Sequence, residues 1–141
     1  MKIKVFEGVR VLDLTRVLAG PYCSLLLSDM GAEVIKIEAP DEPDPTRTMG
    51  PTWNGMSAYF ISINRNKKGM SLNLKKEEGR RIFYELVRVS DVVLDNFRPD
   101  VPRKLGIDYE TLSKINNRII CCSISAFGKD GPRAHQPAFD L

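Results

Sequence analysis

The sequence has few of the residues and segments that mark a secreted, membrane-spanning or metal-binding protein. Its 141 residues contain one histidine and three cysteines, Cys23, Cys121 and Cys122, which show no metal-ligand spacing. No apolar run approaches the length needed to cross a membrane. Residues 1–8 are too polar for a signal peptide and lack the composition of a transit peptide. We therefore expect reduced cysteines, no metal site and a cytoplasmic location, with the mitochondrial matrix as the alternative for a eukaryotic source.

The net charge is also small, and the common nucleotide-binding motifs are absent from the sequence. The 21 Lys and Arg residues nearly balance the 18 Asp and Glu residues, and a formal net charge of +3 is too small to indicate a nucleic-acid partner. The short basic run at residues 65–68 is expected to lie on a solvated face. Neither a G-x-G-x-x-G fingerprint nor a Walker pattern is present, so nicotinamide-dependent and nucleotide-hydrolysing functions lose their main support. The remaining composition, 43% hydrophobic and 28% charged, is ordinary for one globular domain.

Strand-like and helical segments alternate along the chain. Residues 9–15 favour an extended backbone, residues 22–30 favour a helix that Gly31 ends, and residues 33–38 favour a second strand. This β-α-β order predicts parallel strands joined by a right-handed crossover. The segments that follow are predicted as a helix at 57–63, a strand at 70–74, a helix at 75–89, a strand at 92–94, a helix at 108–115 and a strand at 118–127.

This alternation predicts an α/β fold, a Rossmann-like parallel sheet with flanking helices. The helix predicted at 75–89 is amphipathic, with Ile82, Phe83, Leu86 and Val87 on one face. The strand at 118–127 is mostly apolar, which favours a central position in the sheet.

The segment at residues 91–102 joins a buried strand to side chains suited to ligand binding. Its apolar run is followed by Asn96, Phe97 and Arg98, and Pro99 then ends the strand. Ligands of open α/β sheets bind at the carboxyl ends of the strands. A guanidinium suits a phosphate, an aromatic ring can stack on a flat group, and an amide can orient a ligand. The alternative is a strand-end turn with a solvated arginine.

The turn at residues 15–21 is a second candidate for ligand contact. Ala19 and Gly20 permit close approach of the backbone just before a helix N-terminus, which is a suitable edge for an anion. An ordinary strand-to-helix turn explains the same residues.

A long connection at residues 41–54 lacks any hydrophobic period. Loops of this length are usually functional or mobile, and Arg47 and Trp53 are the residues in it most suited to contact a ligand or partner. The alternative is a plain surface loop with an anchoring tryptophan.

Collinear motifs along nearly the whole chain resemble the class III CoA-transferases, the family that includes formyl-CoA transferases, succinyl-CoA:glutarate CoA-transferases and carnitine CoA-transferases. Among the matching stretches are GVRVLDLTRVLAGP at 8–21, DVVLDNFRP at 91–99 and SAFGKDGP at 125–132. The resemblance implies that residues 1–141 form the N-terminal, CoA-binding part of the larger domain of such an enzyme. The chain stops without a helix cap or polar tail, so we expect a truncation there. The other matching stretches are 31–38, 46–48, 64–68, 71–75 and 105–107.

The resemblance also implies which residues contact CoA, as a substrate and not as a tightly bound cofactor. The implied contacts are Val17, Leu18 and Ala19 in the first turn, Leu72, Asn73, Leu74 and Lys75 in a second segment, Asn96, Phe97 and Arg98 in a third, Lys104 at the CoA phosphates, and Pro137, Ala138, Phe139 and Asp140 near the end of the chain. Ala39 stands where some members of the family have an arginine, so that guanidinium contact is missing. These positions agree with the sheet edge predicted from the strand order.

The implied chemistry starts with an aspartate that attacks the acyl-CoA thioester and forms an anhydride, then an enzyme-CoA thioester. The matching aspartate would lie beyond Leu141, so no residue of this sequence is assigned a catalytic role, and Asp140 belongs to an earlier motif. A racemase branch of the superfamily has a histidine directly before the aspartate that matches Asp140. Phe139 occupies that position and favours transferase chemistry. The single histidine, His135, is expected on the solvated surface.

Two hypotheses of different classes follow. In the first, the chain is part of a CoA-transferase whose partners are an acyl-CoA and a small carboxylic acid, with an interlinked homodimer implied for the full-length protein and no nucleic-acid or membrane partner. In the second, these 141 residues by themselves are an inactive CoA-binding or structural fragment.

Overall fold

The computed structural model of the chain describes residues 4–137 and has a parallel sheet at its centre. The strands are β1 (Arg10–Asp13), β2 (Glu33–Glu38), β3 (Thr52–Trp53), β4 (Met56–Ser57), β5 (Lys68–Ser71), β6 (Val92–Asp95) and β7 (Ile120–Ser123). Five of them form one sheet in the order β5-β2-β1-β6-β7, and every neighbouring pair in it is parallel. The short strands β3 and β4 form a separate antiparallel pair. The predicted α/β fold with a parallel sheet is therefore confirmed.

Within residues 4–137, five α-helices and one short 3₁₀ helix connect the strands. The helices are α1 (Ala19–Asp29), the 3₁₀ helix (Pro45–Thr48), α2 (Ala58–Asn64), α3 (Glu77–Arg88), α4 (Val101–Leu105) and α5 (Tyr109–Leu112). Local caps explain several of the boundaries. The Ser57 hydroxyl accepts a hydrogen bond from the Phe60 amide at the start of α2, and Asp108 accepts from the Thr111 amide at the start of α5. Gly106, with φ of 69°, ends α4, a helix that the sequence pattern did not predict.

Both faces of the sheet carry a hydrophobic core. On one face, Phe83 and Val87 of α3 are fully buried against Leu12 and Val93 of the central strands. On the other face, the neighbouring strand residues Val11, Val34 and Leu94 form a second cluster, against which Cys23 and Leu27 of α1 pack. Successive strand residues point to opposite faces, so an apolar strand supplies both clusters. Each fully buried side chain of this size contributes about 1.5–3 kcal/mol.

The predicted apolar side of α3 is narrower in the structure. Phe83 and Val87, four residues apart, point into the core, whereas the Ile82 side chain is 46% exposed. One helical residue corresponds to a rotation of about 100°, which turns Ile82 away from the direction that Phe83 defines. Ile82 therefore lies at the margin of the predicted apolar face.

The position of β7 also differs from the prediction. Within residues 4–137, β7 pairs with β6 alone and therefore lies at an edge, and its Ile120 side chain is 60% exposed. Apolar residues on both faces of a strand indicate that other elements pack on those faces. They do not indicate whether the strand has a hydrogen-bonded neighbour on each edge. The predicted central position was wrong for the described part of the chain.

Strand β5 begins and ends earlier than the predicted range of 70–74. Its pairing with β2 runs from Ile35 opposite Lys68 to Glu38 opposite Ser71. After Glu38 the β2 backbone turns away, so residues beyond β5 have no partner for a continued ladder. Leu72 still donates its amide hydrogen to the Glu38 carbonyl, at 2.8 Å, and the chain then turns. Residues 72–75 are thus a turn at the carboxyl end of a strand.

No helix within residues 4–137 has both the length and the apolar composition needed to span a bilayer.

Candidate functional site

The carboxyl ends of five parallel strands lie at one edge of the sheet, which we call the carboxyl edge. Parallel pairing forces this arrangement, because every strand runs in the same direction. The segments that leave the strands at this edge are 14–18 after β1, 39–44 after β2, 72–75 after β5, 96–99 after β6 and 124–126 after β7.

A cleft of about 900 Å³, here the main cleft, opens at this edge. It brings together the first turn, the residues after β6 and the end of the described chain. The lining residues are Arg16, Val17, Leu18, Ala19, Tyr22, Pro45, Asn96, Phe97, Arg98, Pro99, Ile124, Ser125, Ala126, Ala134, Gln136 and Pro137. Seven of the predicted contacts, Val17, Leu18, Ala19, Asn96, Phe97, Arg98 and Pro137, therefore lie around one space.

A second cavity of about 280 Å³, here the side cavity, adjoins the main cleft. Its walls include the four predicted contacts Leu72, Asn73, Leu74 and Lys75, together with Leu14, Arg16, Ile37, Glu38, Ala39, Glu42, Asp44, Phe97, Val101 and Leu105. Arg16 and Phe97 line both spaces, so the two cavities meet at these side chains. Sequence reasoning missed Arg16. Its position in the turn that follows the first buried strand was the available signal.

The remaining predicted contacts fall elsewhere. Lys104 lines neither cavity; its side chain is 73% exposed and pairs with Asp100 at 2.6 Å. The hydrogen bond from Lys104 holds the pKa of Asp100 below its ordinary value. Ala138, Phe139 and Asp140 lie outside the described residues.

The first turn has a strained backbone. Val17 has a φ of 70°, in the left-handed region that β-branched residues rarely adopt. The Asn96 side chain bonds to both backbone polar groups of Arg16, the residue before Val17. The Arg16 amide donates to Asn96 Oδ1 at 2.9 Å, and Asn96 Nδ2 donates to the Arg16 carbonyl at 2.8 Å. Asp44 Oδ1 accepts a further hydrogen bond, of 3.2 Å, from the Val17 amide.

A buried ion pair supports the same turn from below. Lys36 Nζ donates to Asp44 Oδ2 at 2.9 Å and to the Thr15 carbonyl at 2.8 Å, and the two charged side chains are 2% and 0% exposed. Burial by itself raises the pKa of Asp44, but the hydrogen bond and charge of Lys36, together with two hydrogen bonds from Thr46, keep that pKa below its ordinary value. Asp44 is therefore held ionised.

A second buried pair lies on the other side of the turn. Lys67 Nζ donates to Asp13 Oδ2 at 3.1 Å, to the Pro21 carbonyl at 2.9 Å and to Asn64 Oδ1 at 2.8 Å. Burial lowers the pKa of Lys67, and the carboxylate of Asp13 opposes that shift. The Lys67 side chain is 2% exposed, so the expectation that the basic run at 65–68 is a solvated face was wrong for this residue.

Close approach at Gly20 fixes the start of α1. A Cβ atom at this position would lie 2.3 Å from Thr15 Cβ, a distance that no side chain can accept. Only glycine therefore fits at residue 20, because the Thr15 side chain packs directly against its backbone. Since α1 starts at Ala19, its first residue lies at the rim of the main cleft.

The long connection at 41–54 packs on the rest of the chain and contributes residues to both cavities. Arg47 donates from Nε and Nη2 to the Glu38 carboxylate, at 2.9 and 2.6 Å, and its guanidinium lies 4.0 Å from the centre of the Phe60 ring. Trp53 is 66% exposed on β3, so it does not anchor the loop. Pro45, in the 3₁₀ helix, is the residue of this connection that reaches the main cleft.

The side chains that line the main cleft in the described chain are suited to binding a ligand and not to breaking a covalent bond. No aspartate or glutamate is among the residues that line the main cleft in the described chain. Burial raises the pKa of Cys23, and it raises that of Cys121 to about 11, so neither thiol is poised as a thiolate. His135 is exposed. Residues 4–137 contain no group of three or more His, Cys, Asp or Glu side chains arranged to hold a metal ion.

Comparisons with known proteins agree with the geometry. The family model described as CoA-transferase family III matches residues 6–141. The chain is 52% identical over 135 residues to an acetyl-CoA:oxalate CoA-transferase of Acetobacter aceti, covering 96% of this chain and 35% of that protein. It is 48% identical over 139 residues to a succinyl-CoA:glutarate CoA-transferase of Mus musculus, covering 98% of this chain and 32% of that protein. The chain thus spans about one third of the length of the curated relatives that it matches.

Solved structures show the same fold. A CaiB/BaiF family protein from Brucella suis is 42% identical, with a TM-score of 0.89 over 95% of this chain and 36% of that one. The protein Rv3272 from Mycobacterium tuberculosis is 37% identical, with a TM-score of 0.90 over 98% of this chain and 39% of that one.

Proposed function

This chain belongs to CoA-transferase family III, and from that premise we propose that residues 1–141 form the N-terminal, CoA-binding part of an enzyme that moves CoA between an acyl-CoA and a free carboxylic acid. The observation that carries the proposal is the convergence of three predicted contact segments, 17–19, 72–75 and 96–98, around two adjoining cavities. Relatives named for oxalate and glutarate support a small carboxylic acid as the acceptor.

The shape and charge of the site suit an extended anionic substrate. CoA joins an adenosine diphosphate portion to a long, mostly uncharged arm that ends in a thiol. Two cavities that meet at Arg16 and Phe97 could hold such a molecule at separate points. Arg98 is exposed at the main cleft and makes no ion pair with any described residue, so its guanidinium is available to a phosphate. Lys75 lies on the wall of the side cavity as a second cation.

We assign binding and orientation of acyl-CoA to this chain, and the covalent step to another part of the full-length protein. In the proposed reaction a carboxylate attacks the thioester carbonyl, CoA leaves as the thiolate, and an acyl-enzyme anhydride forms. The thiolate then attacks the enzyme carbonyl of that anhydride, which releases the acyl group as a carboxylate and gives an enzyme-CoA thioester. The acceptor acid reverses these steps. The described lining of the main cleft contains no carboxylate that could start this sequence.

The absence of a carboxylate from the described lining of the main cleft favours a second candidate for the 141 residues by themselves, a CoA-binding fragment without turnover. A racemase is less well supported, because Phe139 stands where that branch of the superfamily has its histidine. An interlinked homodimer remains part of the proposal for the full-length protein, and light scattering coupled to size-exclusion chromatography measures it directly.

A trapping experiment tests the proposed function. The full-length protein is incubated with acetyl-CoA or succinyl-CoA and a panel of small carboxylic acids, and the enzyme-CoA thioester is trapped with hydroxylamine or borohydride. We expect exchange with at least one acid and a modified aspartate outside residues 1–141. CoA binding without turnover is expected for residues 1–141 expressed alone. Acylation of Asp140 itself, or no CoA binding by the full-length protein, would contradict the proposal.

A further inference from the structure

We propose that Asn96 acts as a positioning residue, whose amide holds the strained turn at Arg16 and Val17 beside the place where the two cavities meet. The identity of the ligand in this inference rests on the proposed function. The role of the amide rests on the contacts of the chain with itself.

The Asn96 side chain is already engaged before any ligand arrives. Its Oδ1 accepts the Arg16 amide hydrogen at 2.9 Å, and its Nδ2 donates to the Arg16 carbonyl at 2.8 Å, across 80 residues of sequence. A side-chain amide has an oxygen with two lone pairs and two N–H donors, so this clamp occupies one lone pair and one donor. The orientation of the Asn96 amide is therefore set by Arg16, although Asn96 lines the main cleft.

Val17 explains why a clamp is needed. A valine at a φ of 70° persists only where neighbouring groups hold it, because its branched side chain disfavours that region. Three side chains from outside the turn form hydrogen bonds with its backbone. Asn96 bonds to residue 16, Asp44 accepts from the Val17 amide, and Lys36 donates to the Thr15 carbonyl. The sequence of the turn by itself favours a different backbone conformation.

The clamped turn determines where the Arg16 side chain lies. This guanidinium borders both cavities, donates from Nη2 to the Pro43 carbonyl at 3.1 Å, and forms no ion pair within residues 4–137. A relaxed turn would move both this cation and the Val17–Ala19 rim. Loss of the amide should therefore weaken CoA binding without removing an atom that touches CoA.

A mutant cycle separates positioning from direct contact. CoA affinity is measured by calorimetry for the full-length protein and for Asn96→Ala, Val17→Gly and the double variant. Glycine adopts positive φ readily, so a turn with glycine at residue 17 needs the clamp much less. We expect Asn96→Ala to weaken CoA binding about tenfold in the wild-type background, and by only about twofold in the Val17→Gly background.

Asn116 provides the matched control. Its Nδ2 donates to the carbonyls of Val87 and Ser90, at 3.0 and 2.9 Å, near the opposite edge of the sheet. Asn116→Ala removes a similar amide-to-backbone clamp and should leave CoA affinity unchanged. An equal loss from Asn96→Ala in both backgrounds would show that Asn96 contacts CoA directly and would overturn the inference, as would no loss in either background.

Hydrogen–deuterium exchange tests the clamp even if Asn96→Ala does not fold. In the CoA-free wild-type protein, the Arg16 and Val17 amides are expected to exchange slowly, because Asn96 and Asp44 accept their hydrogens. Exchange at the rate of an unprotected turn would overturn the inference. If the full-length protein binds no CoA while these amides are protected, the proposed function fails and the positioning role of Asn96 stands.

Discussion

The two edges of the sheet use charge in opposite ways. At the amino edge, where the parallel strands begin, Glu33 accepts from Arg10 at 2.5 Å and from Lys68 at 2.5 Å, and all three side chains are at least one third exposed. At the carboxyl edge, the pair of Lys36 and Asp44 is almost completely buried. The amino-edge pairs tie strand ends together in solvent, whereas the carboxyl-edge pair lies beneath the candidate site.

This difference shows what the buried charges do. Removing two charges from water costs several kcal/mol per ion, and well-packed apolar residues of similar volume often stabilise a fold as well or better. Stability alone therefore does not explain the carboxyl-edge pairs. The additional hydrogen bonds of the two buried lysines offer an explanation. Lys36 donates to the Thr15 carbonyl and Lys67 donates to the Pro21 carbonyl, on either side of the strained turn. The buried lysines thus bond to the backbone on both sides of the residues that line the main cleft at 16–19.

The largest expected effect comes from breaking the buried pair. Lys36→Met leaves the Asp44 carboxylate buried without its cation, and we expect the free energy of unfolding to fall by about 3–5 kcal/mol. Lys68→Met, at the amino edge, removes an exposed partner of Glu33 and should cost no more than about 1 kcal/mol. Urea unfolding of the full-length protein measures both. Equal losses in the two variants would mean that the edges do not differ in the way described.

An intermediate effect is expected at the rim of the main cleft. Arg98→Ala should weaken CoA binding by about 1–3 kcal/mol, the range for losing a charged hydrogen-bonding partner. Arg103→Ala is the matched control, because Arg103 is exposed on α4 and lines neither cavity. Calorimetry with CoA gives both affinities. Unchanged affinity in a folded Arg98→Ala variant would remove Arg98 from the proposed site.

The smallest effect is a pH dependence at the amino edge. Hydrogen bonds from Lys68 and then Arg10 lower the pKa of Glu33 in the folded protein. A carboxyl group with a lowered folded pKa contributes stability above its unfolded pKa, about 4.3 for glutamate, and loses that contribution as the pH falls through the folded pKa. Wild type should therefore be slightly more stable than Glu33→Gln at neutral pH, and the difference should vanish in acid. Urea midpoints across this range measure it; a difference that grows in acid would contradict the assignment.

Much of the fold and part of the site could be predicted because both follow from local pattern and chain direction. The alternation of strands and helices predicted the parallel sheet. Parallel strands place all carboxyl ends together, so the meeting of the first turn with Asn96, Phe97 and Arg98 followed as well. Lys104 was placed by resemblance alone, and in the structure it lies outside both cavities. The partial exposure of Ile82 was not predicted, because a helical pattern defines a broad face and not the burial of each residue on it.

The sequence by itself determined the order of the elements and the residue types that follow each strand, since side-chain periodicity and turn residues act over a few neighbouring positions. Only the tertiary structure decided which of those residues are free for a ligand and which are engaged by the chain. Asn96 was predicted to contact a ligand, and in the structure its amide is also bonded to Arg16, 80 residues away. Lys67 looked solvated and is buried on Asp13. Such partners depend on how distant segments pack, because a buried polar group must be satisfied by whatever neighbour the fold brings to it.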